Sequence, residues 1–128
     1  KGKGRILVMD DEELVCTVVK KMLTSLEYES TIVNDGNEAL KTFANSIEYG
    51  KKFDAVILDL TIHGGMGGLE TLEKMLFLDE NVKAIVSSGF SNDEVVSNFK
   101  KYGFKGVIRK PYKVSELSEV LNNLLSND

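Results

Sequence analysis

The sequence predicts an α/β domain in which helices cover both faces of a parallel five-stranded sheet. Five short apolar runs alternate with five helical patterns along the chain, which is typical of βαβ units. The first run shows no alternation of polar and apolar residues, as expected for a strand buried on both faces. A chain of 128 residues fits one domain of ordinary size. We therefore expect a single domain over residues 1–128, with residues 1–4 as a linker or an artificial end.

Each predicted strand is followed by a segment with helical periodicity. The strand candidates are residues 6–9, 29–33, 55–58, 83–87 and 107–109. The third run is the most apolar and is predicted to be central. The helical segments repeat apolar residues at three- or four-residue spacing, which gives a helix one buried face. Capping boxes are expected at Asp35 and Ser91. The helix that begins at Asp35 is expected to end at Gly50, and the one that begins at Ser91 is expected to end at Gly103.

The composition excludes several classes of function. The formal net charge is −4 and the pI is about 5.1, so no basic stripe is available to bind nucleic acid. The single Cys16 excludes an intrachain disulfide and a cysteine-based metal site, which favours a reducing, cytoplasmic location. No apolar run approaches the ~20 residues that span a bilayer. We therefore expect no membrane insertion by this domain, although its parent protein could be membrane-anchored.

Polar residues follow four of the predicted strands at the point where each strand ends. They are Asp10 and Asp11, Asp59, Ser88 and Lys110. Ligands of open parallel sheets collect at the carboxyl ends of the strands, so these side chains are expected to converge. Three carboxylates, one hydroxyl and one ammonium suit a divalent cation such as Mg²⁺ and a phosphoryl group. Asp59 is the best candidate nucleophile, because a carboxylate that attacks a phosphoryl group forms an acyl phosphate.

Taken singly, the same residues have simpler interpretations. Asp11 alone would be a helix N-cap, Lys110 a surface lysine and Ser88 a loop hydroxyl. The only histidine, His63, is expected to be an ordinary loop residue. The glycine-rich segment at residues 64–68 lacks the Gly-Lys-Ser/Thr ending of a Walker A loop. The case for a site therefore depends on the joint order of these residues at the strand ends.

This joint pattern resembles the receiver domain of two-component response regulators over nearly the whole chain. The matching motifs are Asp10-Asp11-Glu12, Ile57-Leu58-Asp59-Leu60, Ser88-Gly89 and Lys110-Pro111-Tyr112. The resemblance implies a flavodoxin-like, doubly wound (βα)₅ fold with strand order 2-1-3-4-5. It also implies a signalling module that is not an enzyme as an isolated domain.

The resemblance gives each site residue a role. Asp59 is implied to accept the phosphoryl group from a phosphohistidine. The implied ligands of Mg²⁺ are the carboxylates of Asp10, Asp11 and Asp59 and the backbone carbonyl of Thr61. The residues implied to contact the phosphoryl group are Ser88, which is also the switch hydroxyl, and Lys110.

Three departures from the family pattern stand out. Ile62-His63 replaces the common Met-Pro after the phosphorylated strand, and the loop at residues 64–68 is one residue longer than usual. Val107 replaces the aromatic residue that lies three positions before the lysine. A switch aromatic therefore cannot operate at that position, whereas the phosphorylation chemistry is expected to be intact.

The implied partner is a histidine kinase or a histidine phosphotransfer domain. We expect it to dock on the exposed side of the first helix, near Glu13, Cys16, Thr17 and Lys20. Phosphorylation can also promote a homodimer through the fourth strand and its flanking elements. The residues at 4–12 and 64–68 resemble the corresponding segments in the receivers of bacterial hybrid sensor histidine kinases.

Other functions compete with this interpretation. A pseudo-receiver would serve only as an interaction module, which the intact acidic residues, Ser88 and Lys110 disfavour. An aspartyl-phosphate phosphohydrolase usually has a general-acid Asp two residues after its nucleophile, where this chain has Thr61. A flavodoxin-like cofactor binder is disfavoured because the chain has no tryptophan and no evident flavin-stacking loop.

Overall fold

A computed structural model describes residues 3–89 and 93–126 of the chain. Strands and helices alternate throughout. The strands are β1 (Gly4–Met9), β2 (Tyr28–Val33), β3 (Ala55–Asp59), β4 (Ala84–Ser88) and β5 (Gly106–Arg109). The helices are α1 (Glu13–Ser25), α2 (Gly36–Glu48), α3 (Gly68–Leu78), α4 (Glu94–Ser97) and α5 (Val114–Leu125), and a 3₁₀ turn (Phe99–Tyr102) follows α4. No helix in these two ranges is long and apolar enough to cross a membrane.

The five strands form one parallel sheet in the order β2-β1-β3-β4-β5. This confirms the predicted fold class and strand order, and the most apolar strand, β3, is central as predicted. All five residues of β3 are buried, because helices lie on both sides of it. The observed strands differ from the predicted runs by one or two residues at their ends.

Two apolar cores lie on opposite faces of the sheet. On one face α2 and α3 contribute Phe43, Leu72 and Met75 to a core with alternate strand residues. On the other face α1 and α5 contribute Leu23 and Leu117 to a second core. Burial of these faces fixes the register of every strand, since a one-residue slip would turn the apolar side chains to the wrong face.

The helix starts test the predicted caps. The Asp35 carboxylate accepts a hydrogen bond from the Glu38 backbone N–H at 2.9 Å, as predicted, and the Glu38 side chain accepts one from Asn34 N–H at 2.9 Å. Asp11 does not cap α1. That helix starts after Glu12, which provides no side-chain cap, so Asp11 is available for another role.

The fourth helix is much shorter than its sequence pattern predicts. The proposed cap, Ser91, lies outside the described residues, and Asp93 caps the helix by accepting from the Val95 N–H at 2.8 Å. After one turn the backbone leaves the helical region at Asn98 (φ −123°, ψ 44°). β-Branched, Ser and Asn residues fill this segment, and all are weak helix formers. Gly103, at φ 101°, closes the 3₁₀ turn that follows.

The glycine-rich loop before α3 folds back tightly against the end of β3. A Cβ atom at Gly67 would lie 2.6 Å from the Leu60 carbonyl oxygen, and one at Gly68 would lie 2.7 Å from that of Asp59. Backbone atoms cannot yield as a flexible side chain can. The two glycines therefore permit an approach that holds this loop beside the last residue of β3.

Candidate functional site

The sheet places the sequence-predicted polar residues along one edge. Asp59 and Ser88 are the last residues of β3 and β4, and Asp10 and Lys110 directly follow β1 and β5. Because these strands are parallel and adjacent, their carboxyl ends meet. The structure thus brings together residues that are up to one hundred positions apart in the chain.

Three carboxylates form a compact acidic cluster at this edge. One oxygen from each of Asp10, Asp11 and Asp59 lies within 4.8 Å of the others. Asp10 is fully buried, and Asp59 is only 4% exposed. The Asp10 carboxylate is oriented by the Glu12 backbone N–H, which donates to Oδ1 at 2.9 Å. Such a concentration of buried negative charge requires a positive partner.

Lys110 supplies that positive charge. Its Nζ lies 2.8 Å from Asp10 Oδ2, 3.1 Å from Asp59 Oδ2 and 3.6 Å from Glu12 Oε1. Burial lowers the pKa of Lys110, but its contacts with Asp10 and Asp59 outweigh burial and raise the pKa above its ordinary value. The ammonium is therefore charged at every physiological pH. The Lys110–Pro111 peptide bond is cis.

The carboxyl of Asp59 is less acidic than an exposed aspartic acid. Burial, followed by the negative charge of Asp10, raises the pKa of Asp59 from 3.8 to about 6, against the opposing effect of Lys110. At neutral pH the group is still mostly ionised, as a nucleophile must be. Its carboxylate is, however, held in an unfavourable electrostatic environment that a further cation would relieve.

Two oxygens of the cluster offer lone pairs to a metal ion. Asp11 Oδ1 is buried and accepts no hydrogen bond from any described residue. Asp10 Oδ2 is also buried, and it forms an ion pair with the Lys110 ammonium at 2.8 Å. Oxygen-only ligands with a charge deficit suit Mg²⁺. The described residues therefore fit the cation that the sequence predicts.

The cluster opens to solvent through a cleft of about 320 Å³. The cleft is lined by Asp11, Glu12, Asp59, Thr61, His63, Ser88, Gly89 and Lys110. Thr61 is exposed at its rim, and its backbone N–H reaches Asp59 Oδ1 at a long 3.5 Å. Of the two adjacent serines, Ser88 lines the cleft, whereas the Ser87 hydroxyl shares a hydrogen bond with Tyr112 OH.

Sequence reasoning missed three features around the cleft. His63 is not an ordinary loop residue, because both its backbone N–H and its ring contact Asp11. The Ser87–Tyr112 hydrogen bond was also not predicted. Cys16 does not lie on the exposed side of α1 as expected: it is half-buried, and its Sγ donates to the Asp10 carbonyl at 3.3 Å. The His63–Asp11 and Ser87–Tyr112 contacts join segments that are 52 and 25 positions apart, so no local sequence pattern indicates them.

The comparisons with known proteins agree with this geometry. A family model described as the response regulator receiver domain matches residues 6–122, so the chain belongs to that family and is a module of two-component signal transduction. The chemotaxis protein CheY of Treponema pallidum is 32% identical over 94% of this chain and 82% of its own length. CheY of Thermotoga maritima is 29% identical over 94% and 96% respectively.

A solved structure with a similar fold contains Mg²⁺. The response regulator protein TrrA from Thermotoga maritima, in complex with Mg²⁺ and BeF, superposes with a TM-score of 0.81. It is 29% identical, and the match covers 96% of this chain and all of that one. Receiver domains of similar fold thus include one that holds Mg²⁺, and the present chain carries an acidic cluster at its strand ends.

We predict that Asp59→Asn stabilises the metal-free domain at high pH. The unfolded chain loses the Asp59 proton near pH 3.8, whereas the fold keeps it until about pH 6. Between these values the native state binds more protons, so this group's contribution to stability falls as the pH rises. Asn stays neutral throughout. In urea unfolding with EDTA, the variant should be more stable by roughly 1–3 kcal/mol at pH 8, and the difference should vanish below pH 4.

The matched control is Glu80→Gln, which removes an exposed carboxylate and should change the free energy of unfolding by less than about 0.5 kcal/mol. An Asp59→Asn chain that is no more stable than wild type at pH 8 would show that Lys110 fully compensates this carboxylate.

Proposed function

We propose that the chain is a phosphoacceptor receiver, which takes a phosphoryl group from a phosphohistidine onto Asp59 with Mg²⁺. The observation that carries the proposal is the position of Asp59 at the floor of an open cleft. Its Oδ2 lies 3.1 Å from the Lys110 ammonium, and one of its oxygens lies within 4.8 Å of oxygens from two further carboxylates. A nucleophile, a fixed cation and a metal-binding acidic pair are what aspartyl phosphorylation needs.

In the proposed reaction a carboxylate oxygen of Asp59 attacks the phosphorus of the phosphohistidine. The P–N bond breaks, the imidazole leaves, and an acyl phosphate forms on Asp59. Lys110 is already placed to offset the charge of the incoming phosphoryl oxygens, and the Ser88 hydroxyl can donate to one of them from the β4 side of the cleft. Little else is needed, since phosphoryl transfer depends mainly on positioning and charge neutralisation.

The carboxylates of Asp10, Asp11 and Asp59, with the backbone carbonyl of Thr61, would hold Mg²⁺. When bound, the cation supplies additional positive charge to the phosphoryl oxygens. The metal-free cluster supports this assignment, because Asp11 Oδ1 is buried without a hydrogen bond from a described residue. Burying an acceptor oxygen without a partner destabilises the fold, and a bound cation would remove this cost.

The rival functions gain little from the geometry. Thr61 stands at the rim of the cleft, where a phosphohydrolase would need an acidic group, and its hydroxyl is a poor general acid. A pseudo-receiver would not need the ion pairs between Lys110 and its carboxylates. We therefore propose no catalysis on external substrates by the isolated domain.

We propose that the phosphodonor docks on the apolar side of α1 beside the cleft. Leu14 is 81% exposed, and Val18 is also exposed. A shallow depression lined by Leu14, Val15, Val18, Lys110, Pro111 and Tyr112 adjoins the cleft, because Lys110 lines both. An apolar depression next to the nucleophile suits the amphipathic helices of a histidine kinase or a histidine phosphotransfer domain.

The sequence predicts a docking surface on the exposed side of the same helix. Of the residues expected there, Glu13, Thr17 and Lys20 are exposed.

Several finer assignments stay predictions. They are an origin in a bacterial hybrid sensor kinase, a cytoplasmic location, and a phosphorylation-dependent homodimer through β4 and its flanking elements. No switch aromatic is available at Val107, which is a partly buried residue packed on the α2–α3 core.

The phosphoacceptor assignment predicts one phosphoryl adduct on the intact chain. After incubation with acetyl phosphate and Mg²⁺, intact-mass spectrometry should show a single added phosphoryl group. The adduct should be absent from Asp59→Asn and from wild-type protein treated with EDTA, because each lacks one required component. If neither acetyl phosphate nor a phosphohistidine donor labels the wild-type chain, the phosphoacceptor function is wrong.

The docking assignment predicts that Leu14→Lys slows transfer from a protein donor only. With a phosphorylated histidine phosphotransfer domain that labels the wild-type chain, the rate should fall about tenfold or more, because a charge replaces a central apolar contact. Labelling by acetyl phosphate should not change. The matched control is Phe77→Lys, since Phe77 is 91% exposed but lies on α3, at the other face of the sheet. Equal effects of the two variants would refute this docking surface.

A further inference from the structure

The loop that follows β3 lines the cleft with Thr61 and His63, and His63 contacts Asp11. The backbone N–H of His63 donates to Asp11 Oδ2 at 2.9 Å. The Nδ1 atom of the same residue lies 3.2 Å from the same oxygen. Two groups of a single residue therefore hold one edge of this carboxylate, although 52 positions separate the residues in the chain.

The other oxygen of the Asp11 carboxylate has no such partner. Asp11 Oδ1 is buried and accepts no hydrogen bond from the described residues, and a carboxylate oxygen of Asp11 lies within 4.8 Å of those of Asp10 and Asp59. A carboxylate without a partner on Oδ2 would be free to rotate about its Cβ–Cγ bond. It would then exchange its two oxygens or turn toward solvent, and a cation would have to order it on binding.

We propose that His63 is a positioning residue for the cation site: it holds Asp11 by Oδ2 so that Oδ1 remains turned toward the metal. This inference rests on the Mg²⁺ site of the proposed function. Groups that hold a metal ligand from outside the coordination shell orient it and raise the affinity for the metal. His63 does not itself bind Mg²⁺ in this proposal, because Mg²⁺ prefers oxygen ligands.

The two contacts of His63 are of unequal strength. The backbone N–H is fixed by the loop, which the close approach of Gly67 and Gly68 to β3 holds in place. The imidazole is 80% exposed, and exposed polar contacts contribute little because water competes for them. The N–H is therefore the principal holder of Asp11, and the ring adds a smaller restraint.

This ranking makes proline and alanine informative substitutions. His63→Pro removes the N–H together with the ring, whereas His63→Ala removes only the ring. By calorimetric titration with MgCl₂, the proline variant should bind Mg²⁺ about tenfold more weakly than wild type. The alanine variant should stay within about threefold of wild type. Urea unfolding in EDTA checks that both variants are folded.

A measurement on the wild-type chain does not depend on any variant folding. In NMR, the His63 amide proton should exchange slowly with solvent for an exposed loop, because it is bonded to Asp11, and its resonance should shift when MgCl₂ is added. Exchange at the rate of a free amide, or a proline variant that binds Mg²⁺ as tightly as wild type, would overturn the proposal.

Two further outcomes separate this inference from related ones. If His63→Ala weakens Mg²⁺ binding as much as His63→Pro does, the backbone N–H is not the principal holder of Asp11, and the role proposed for it is wrong. If the wild-type chain itself binds no Mg²⁺, the cation site of the proposed function fails. A wild-type chain that binds Mg²⁺ beside an unaffected proline variant refutes only the role of His63.

Discussion

The site depends on one electrostatic constraint: buried carboxylates at the strand ends share a single lysine. Lys110 reaches Asp10 at 2.8 Å and Asp59 at 3.1 Å, yet the pKa of Asp59 is still raised to about 6. One ammonium therefore does not fully compensate the cluster. In the proposed function, the remaining negative charge would attract a cation, and a bound cation would in turn attract the phosphoryl group.

The rest of the fold maintains this arrangement. Two apolar cores fix the register of β1, β3, β4 and β5, so the four strand ends cannot move independently. The loop after β3 lies tightly against the Leu60 and Asp59 carbonyls because Gly67 and Gly68 have no Cβ. That position brings His63 over Asp11. Packing far from the cleft thus determines which atoms meet within it.

The sequence predicts those parts of the structure that depend on local patterns. Apolar runs identify the strands, and Asp35 caps α2 as its spacing indicates. The polar residues at the strand ends also identify the cluster, since parallel strands bring their ends together. The contacts of His63 with Asp11, and of Ser87 with Tyr112, depend on loop paths and side-chain packing that no local pattern encodes. The early end of α4 reflects weak helix formers whose effect outweighs a correct apolar spacing.

We infer that the acidic cluster is short of positive charge and that Mg²⁺ would complete it. The most direct measurement is urea unfolding of the wild-type chain at pH 8, in EDTA and in increasing MgCl₂, at constant ionic strength. Relative to EDTA, specific binding should raise the free energy of unfolding by about 1.4 kcal/mol at ten times the Kd of Mg²⁺ and by about 2.7 kcal/mol at a hundred times the Kd. The gain should be absent from Asp11→Asn. If Mg²⁺ stabilises the chain no more than NaCl at equal ionic strength, the cluster is already compensated and the proposed cation site is wrong.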